Sequence, residues 1–180
     1  MKREIINSVI KDKVVFLKTA KETAGKESAF EIFLMPGGGN SLHYHKTYAE
    51  TFNVIEGTLG VKLGKKATKF LNPGETYTVQ PTFLHSFFNP TDKPIRFIAT
   101  IHPGHEGFEN TLRIVYGLAE DGLTDKKSIP KSLTHKAIVA CMSDMNIPGV
   151  FTLIYPLLKR IANKARANGE EQKLLDRYCK

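Results

Sequence analysis

The first hundred residues are divided into short apolar or alternating runs, each closed by a turn signal. A helix of ordinary length has no room among them. Residues 5–10 and 14–17 are β-branched or apolar runs split by Lys11-Asp12-Lys13, and residues 29–35 alternate well enough for a further strand. Leu59, Val61 and Leu63 alternate with Gly60, Lys62 and Gly64, which gives one face to a core and one to water and places a hairpin at Gly64-Lys65-Lys66. Asn72-Pro73-Gly74 is a stronger turn, because proline presets one backbone angle and glycine permits a positive one. Residues 76–79, 86–88 and 95–101 supply more strands. Many short strands at turn-marked intervals predict a sandwich or a barrel, so the fold class is mainly β.

After His102-Pro103-Gly104 the period changes. Phe108, Leu112, Val115, Tyr116 and Ala119 fall at helical spacing, which predicts a helix opening near Glu106 and closing near Gly122. His102, His105 and Glu106 read as the start of that helix, with an acidic residue in the first turn, rather than as ligands. Residues 133–145 also have helical character. From Pro148 the positions Val150, Leu153, Ile154, Leu157, Leu158 and Ile161 make an amphipathic stripe, with Phe151 and Tyr155 off it. Pro156 predicts a bend or break over residues 152–156, because it removes one backbone donor. A short terminal helix is expected over residues 170–178. A barrel does not require this helical extension, which can bury against the barrel or form a homodimer contact.

The chemistry gathers in the turns between strands. His43 and His45 sit two apart in a segment that reads as extended, so both side chains leave one face. Glu50 follows a short polar turn and can return to the same place from the next strand, the apolar run over residues 52–55. Neutral imidazole with carboxylate and no thiolate suits a divalent first-row metal. The triple glycine, Gly37 to Gly39, is not a phosphate-cradling loop, because no Gly-Lys-Ser/Thr follows and the next segment is not helical in pattern.

Gly37, His43-x-His45, Glu50 and Gly57 at these spacings resemble the first conserved motif of the cupin superfamily, and Gly74, Pro81, His85 and Asn89 resemble the second. Gln80 and Thr82 depart from that second motif at turn positions that usually hold proline and glycine. The resemblance covers roughly residues 28–103. It implies a double-stranded β-helix (jelly-roll) barrel followed by a C-terminal α-helical extension. The implied limits are residues 1–27 for N-terminal strands on the barrel, 28–103 for the barrel, 104–123 for a helix near its mouth and 124–180 for the extension. The resemblance also implies that His43, His45, Glu50 and His85 hold one divalent transition metal: iron, manganese, nickel, zinc or copper. In cupins with this ligand set the activities include dioxygenases, oxalate-degrading enzymes, lyases and isomerases.

Three imidazoles and a carboxylate leave two adjacent positions on a six-coordinate metal for water, dioxygen or a substrate with neighbouring oxygens. The resulting expectation is a metal-dependent, dioxygenase-like enzyme acting on a small oxygen-rich molecule, with Glu50 as a catalytic group. Tyr44, Tyr77, Phe83, Phe87 and Phe108 are the candidate pocket walls, and His105 or Glu106 could offer a proton-transfer group. The alternative is a non-catalytic sensor or binding module. A metal-independent sugar isomerase is disfavoured, because all four ligand positions are filled.

Length and composition narrow the rest. At 180 residues the chain suits one domain plus an extension. The net charge of +8 raises nucleic acid as a partner, but the lysines and arginines are spread over several elements without a recognition helix or stacking aromatics. Cys141 and Cys179 lie far apart and away from the motifs, as free thiols would. The start of the chain lacks a secretory pattern and no apolar run reaches the ~20 residues of a membrane span, so the expectation is a cytoplasmic protein with a small-molecule ligand and no membrane partner.

Overall fold

The computed structural model describes residues 2–180, with the backbone alone for Val150 and Phe151. Strand alternation builds two antiparallel sheets that face each other. The larger contains β1 (Glu4–Ile6), β2 (Lys13–Lys18), β3 (Ser28–Leu34), β4 (Ala49–Glu56), β7 (Thr76–Val79) and β9 (Ile95–His102), in the order β1-β2-β3-β9-β4-β7. The smaller contains β5 (Leu59–Leu63), β6 (Ala67–Leu71) and β8 (His85–Phe88), in the order β6-β5-β8. In β9 every second residue, Ile95, Phe97, Ala99 and Ile101, is buried. These residues meet Phe30, Phe52 and Val54 of the same sheet and Leu59 and Val61 of the smaller one in a single core. Each large apolar side chain so enclosed contributes about 1.5–3 kcal/mol. This is the expected jelly-roll barrel, and β1 and β2 extend its larger sheet.

Two sequence expectations yield to local chemistry. The run over residues 5–10 stops being a strand at Ile6, because the Asn7 side-chain oxygen accepts the Val9 and Ile10 N–H groups at 3.0 and 3.2 Å. The Asn7 N–H then donates to the Asp12 carbonyl at 2.8 Å, and this turn swings Asp12 inward. His43 to His45 is extended but forms only isolated bridges, His43 with His85 and Tyr44 with Asn146.

Helix α1 (Glu106–Glu120) forms as its period predicts, with His105 as N-cap: its Nδ1 accepts the Phe108 N–H at 2.9 Å. Glu109 is buried and accepts the Ala20 N–H at 2.6 Å and the Ser28 hydroxyl at 2.5 Å, which fixes α1 to the barrel. Helix α2 (Leu133–Met142) ends three residues earlier than its pattern suggests, and Asp144 takes a positive φ of 52°.

Helix α3 (Val150–Ala167) runs through Pro156 without the expected break. The bond that proline forgoes is to Thr152, an exposed residue in the first turn, so the loss is confined to one place near the helix start. The expected stripe is only partly buried. Leu158, Ala162 and Ala165 face inward, the first two packing with Ala137 of α2, whereas Leu153 is 82% exposed and Ile154 and Leu157 are also exposed. Small alanines let α2 and α3 approach closely around Leu158, and Leu153, Ile154 and Leu157 fall on the exposed face, where the expected homodimer contact would lie. The side chains of Val150 and Phe151 are outside the described residues. Helix α4 (Glu170–Tyr178) forms as expected and packs Leu174 against α1 residues Ile114 and Leu118. Cys141 and Cys179 are free. Among the described residues no helix is long and apolar enough to cross a membrane.

Candidate metal centre

Four side chains from three places in the chain converge inside the barrel. His43 and His45 come from the bridged segment before β4, Glu50 from β4 in the larger sheet, and His85 from the start of β8 in the smaller one. Paired backbone bonds of 2.8 Å join His43 to His85 in both directions and bring the two rings together, tilted by 52° with their centroids 4.4 Å apart. All four residues are buried, and their ligand atoms lie within 4.8 Å of one another. His43 Nε2 is 3.0 Å from His45 Nε2, and Glu50 Oε2 is 3.0 Å from His85 Nε2 and 3.5 Å from His45 Nε2.

The other face of each ring explains this convergence. The Nδ1–H of His43 donates to the Ser41 carbonyl at 2.7 Å, that of His85 to the Phe83 carbonyl at 2.9 Å, and that of His45 to the Asp144 carbonyl at 3.2 Å. With every Nδ1 proton committed to a carbonyl, the Nε2 atoms face the centre with their lone pairs. Two such lone pairs at 3.0 Å repel unless a proton or a cation lies between them. Bonds of about 2.1 Å to one octahedral cation would put neighbouring ligand atoms about 3.0 Å apart, the separation observed for two of the pairs. The donor set therefore fits a divalent metal, and His43, His45, Glu50 and His85 are the residues able to hold it.

The electrostatics agree. Burial, with the neighbouring His45 and His85, pushes the His43 imidazole down to about 3, so it stays neutral and free to ligate. Burial works against ionising Glu50, but in the metal-free chain hydrogen bonds from His45 and His85, made when a proton occupies Nε2 in place of a cation, outweigh it and hold the carboxylate below its ordinary range. His85 is raised: burial opposes the charged ring, and the Glu50 carboxylate overcomes it.

The centre opens onto a cavity of 220 Å³ walled mainly by apolar side chains, among them Val14, Phe30, Ile32, Leu34 and Leu112. Helix α1 covers it, with the Phe108 ring 6.2 Å from that of His45. A strap over residues 143–146 closes another side. Its Asp144 carboxylate accepts the Lys46 and Thr47 N–H groups at 2.8 Å and the Thr47 hydroxyl at 2.7 Å, and the Tyr48 hydroxyl donates to the Ser143 carbonyl at 3.0 Å. The helical extension thus supplies the anchor for one of the converging imidazoles.

Of the candidate pocket walls, Phe87 and Phe108 line this cavity. Tyr44 lines a separate cleft toward α3, Tyr77 packs against the barrel core under the Lys69 ammonium, and Phe83 is 48% exposed. Their loop and strand-face positions turn them away, although the sequence put them beside the ligands. His105 spends its Nδ1 on the helix cap, and Glu106 is exposed beside another cleft. Sequence reasoning missed Asp12, Thr111, Tyr116 and Asp144. Asp12, flanked by lysines, looked like a solvated turn, and nothing before the structure placed Asp144 beside His45.

Residues 30–107 match the model of a family described as Cupin domain. Among solved structures, an RmlC-like cupin from Shewanella frigidimarina superimposes with a TM-score of 0.50 at 23% identity, over 59% of this chain and 89% of that one. The cupin domain of an XRE-family transcriptional regulator from Enterobacter cloacae gives 0.45 at 25% identity, over 51% and 95%. A predicted oxalate decarboxylase from Thermotoga maritima gives 0.49 at 19%, over 52% and 81%. A search of curated proteins found no match. At these identities the likeness to solved structures speaks to the fold.

Proposed function

We propose that this chain, whose residues 30–107 match the Cupin domain family, is a metal-dependent enzyme of the oxygenase type, acting on a small molecule that presents neighbouring oxygens to the metal. The observation that carries this reading is the placement of the donor set. Three imidazoles, each fixed through Nδ1 to a backbone carbonyl, converge with one carboxylate, and two of them, His43 and His45, line a covered, mainly apolar cavity together with that carboxylate. A bound metal supplies Lewis acidity or one-electron chemistry there.

The chain's own residues do the rest. Phe108, Leu112 and Val115 of α1, with Met145 of the strap, keep water from the cavity and so strengthen every charge interaction inside it. Glu50 brings the only carboxylate among the four ligands and offsets part of the cation's charge. The apolar wall narrows the expected ligand: its oxygens belong at the metal end, and its body is hydrocarbon.

The test is oxygen uptake by metal-loaded protein over a panel of small chelating metabolites. Turnover with at least one, lost together with metal in His43→Ala, is the expected result. A loaded protein that transforms none of them contradicts the enzyme reading. It would favour the alternative of a ligand or metal sensor, for which the anchoring of His45 by the helical extension gives a physical route.

A further inference from the structure

The cavity has a second polar end. Helix α1 spans it lengthwise, from Phe108 beside the His45 ring to Tyr116, and eight helical residues rise about 12 Å. The strand register agrees. Glu50 pairs with Ile101 at one end of β9. Asp12 precedes Lys13, which pairs with Phe33, and so lies level with Leu34 and Ile95 at the other end. Asp12 is 4% exposed and lines the cavity there. It accepts the Met35 N–H on Oδ1 at 3.1 Å, and no cation pairs with it among the described residues. On the helix side of that end stands the Tyr116 ring, while Thr111, whose buried hydroxyl has no hydrogen-bond partner among the described residues, lines the cavity between the two ends. An unpaired buried carboxyl and an unsatisfied buried hydroxyl are costly in an apolar wall, and a ligand group that completes their hydrogen bonds removes that cost.

We infer that Asp12, with Tyr116, forms a recognition subsite for the end of the ligand remote from the metal, and that this subsite takes a hydrogen-bond donor, an amine or a hydroxyl. This rests on the metal reading proposed above and specifies its substrate class. The ligand is a slender molecule with a chelating oxygen pair at one end, a hydrocarbon body and a donor at the other end. A volume of 220 Å³ spread over about 12 Å admits a single chain or one ring, not a fused ring system. Burial lifts the Asp12 carboxyl to about 6, against the pull of the Met35 N–H, so at pH 7.5 it is an ionised acceptor for a cationic donor. Burial and the Asp12 charge raise the Tyr116 hydroxyl, which stays protonated.

The experiment is calorimetric titration of the metal-loaded full chain at pH 7.5 with hexanohydroxamic acid and its 6-amino derivative. Hydroxamate supplies the two neighbouring oxygens, and the six-carbon chain crosses the cavity. The amine is expected to bind at least about tenfold tighter than the parent, the worth of one charge-assisted hydrogen bond. Asp12→Asn keeps an acceptor for Met35 and should lose that preference, so that the two probes bind the variant within about twofold of one another. Equal binding of the two probes by the natural chain, or an undiminished preference in Asp12→Asn, overturns the subsite. If neither probe binds the loaded protein, the metal reading itself falls and the subsite falls with it. Should Asp12→Asn fail to fold, the two probes on the natural chain still decide.

Discussion

The barrel and the helical cap solve the burial problem differently. The barrel encloses one continuous core of large side chains, with Phe16, Phe30, Phe52 and Phe97 all less than 3% exposed. The cap divides its burial between two small clusters, one of Ile114, Leu118, Ile138, Ala165 and Leu174 and one of Ala137, Leu158 and Ala162, and leaves Leu153 and Leu157 in solvent. Such a cap would matter little if it only leaned on the barrel. Yet its strap holds His45 through the Asp144 carbonyl, and α1 roofs the cavity. The difference teaches that the rigid part supplies the ligands, while the looser part sets how well one ligand is aimed and how dry the site is.

That contrast can be broken most severely where α1 meets α2. A methyl group at Gly107 would collide with the Met142 backbone carbonyl, which cannot swing aside. Gly107→Ala should therefore cost about 3 kcal/mol in chemical denaturation. If barrel and cap differ as described, hydrogen exchange will rise in α2 and the strap and stay slow in β3, β4 and β9. Uniform loss of protection would make them one unit.

The next largest effect is expected at the strap. Asp144→Ala removes three hydrogen bonds to Lys46 and Thr47 and loosens the carbonyl that orients His45. Metal affinity should fall about 10- to 100-fold, the usual penalty for losing a group that orients a ligand. An affinity within twofold of the natural chain would show that the cap does not tune the centre.

A smaller effect, of opposite sign, is expected at the far end of the cavity. The Asp12 carboxyl sits near 3.8 in the unfolded chain and about 6 in the fold, so the folded form holds its proton while the unfolded form gives it up. Stability from this group is intact below about pH 4 and is lost as pH rises through 6. Asp12→Asn escapes that loss. It should be about 1–2 kcal/mol more stable than the natural chain at pH 8 and no more stable at pH 4. Thermal melts at both pH values check this, and an equal effect at the two would remove the pH argument.

Much of the barrel was legible in the sequence because a half-buried strand writes its environment as alternation, as β5 and β9 do, and because Asn72-Pro73-Gly74 can only turn. The four side chains that converge in the barrel were legible through the motif spacing. Their anchors were not. A carbonyl that receives a histidine N–H leaves no trace in residue type, and Asp144 stands 99 residues from the ring that it holds. The inward turn of Asp12 depends on Asn7 closing a local hydrogen-bonded loop, which competes with the apolar character of residues 8–10. In α3 the stripe held at Leu158 and Ile161 but misled at Leu153, Ile154 and Leu157, because the buried face turns instead toward the small Ala162 and Ala165, which permit close approach.

The account rests on four converging side chains that hold one cation. Elemental analysis of the full chain, purified without chelator or nickel resin, tests this most directly. The expected result is about one transition metal per chain, lost in His43→Ala and His85→Ala, and released from the natural chain as pH falls below about 6.5 and protons compete for the imidazoles. Natural protein that holds no metal and takes none up when iron, manganese or zinc is offered would contradict it, as would unchanged metal content in both variants.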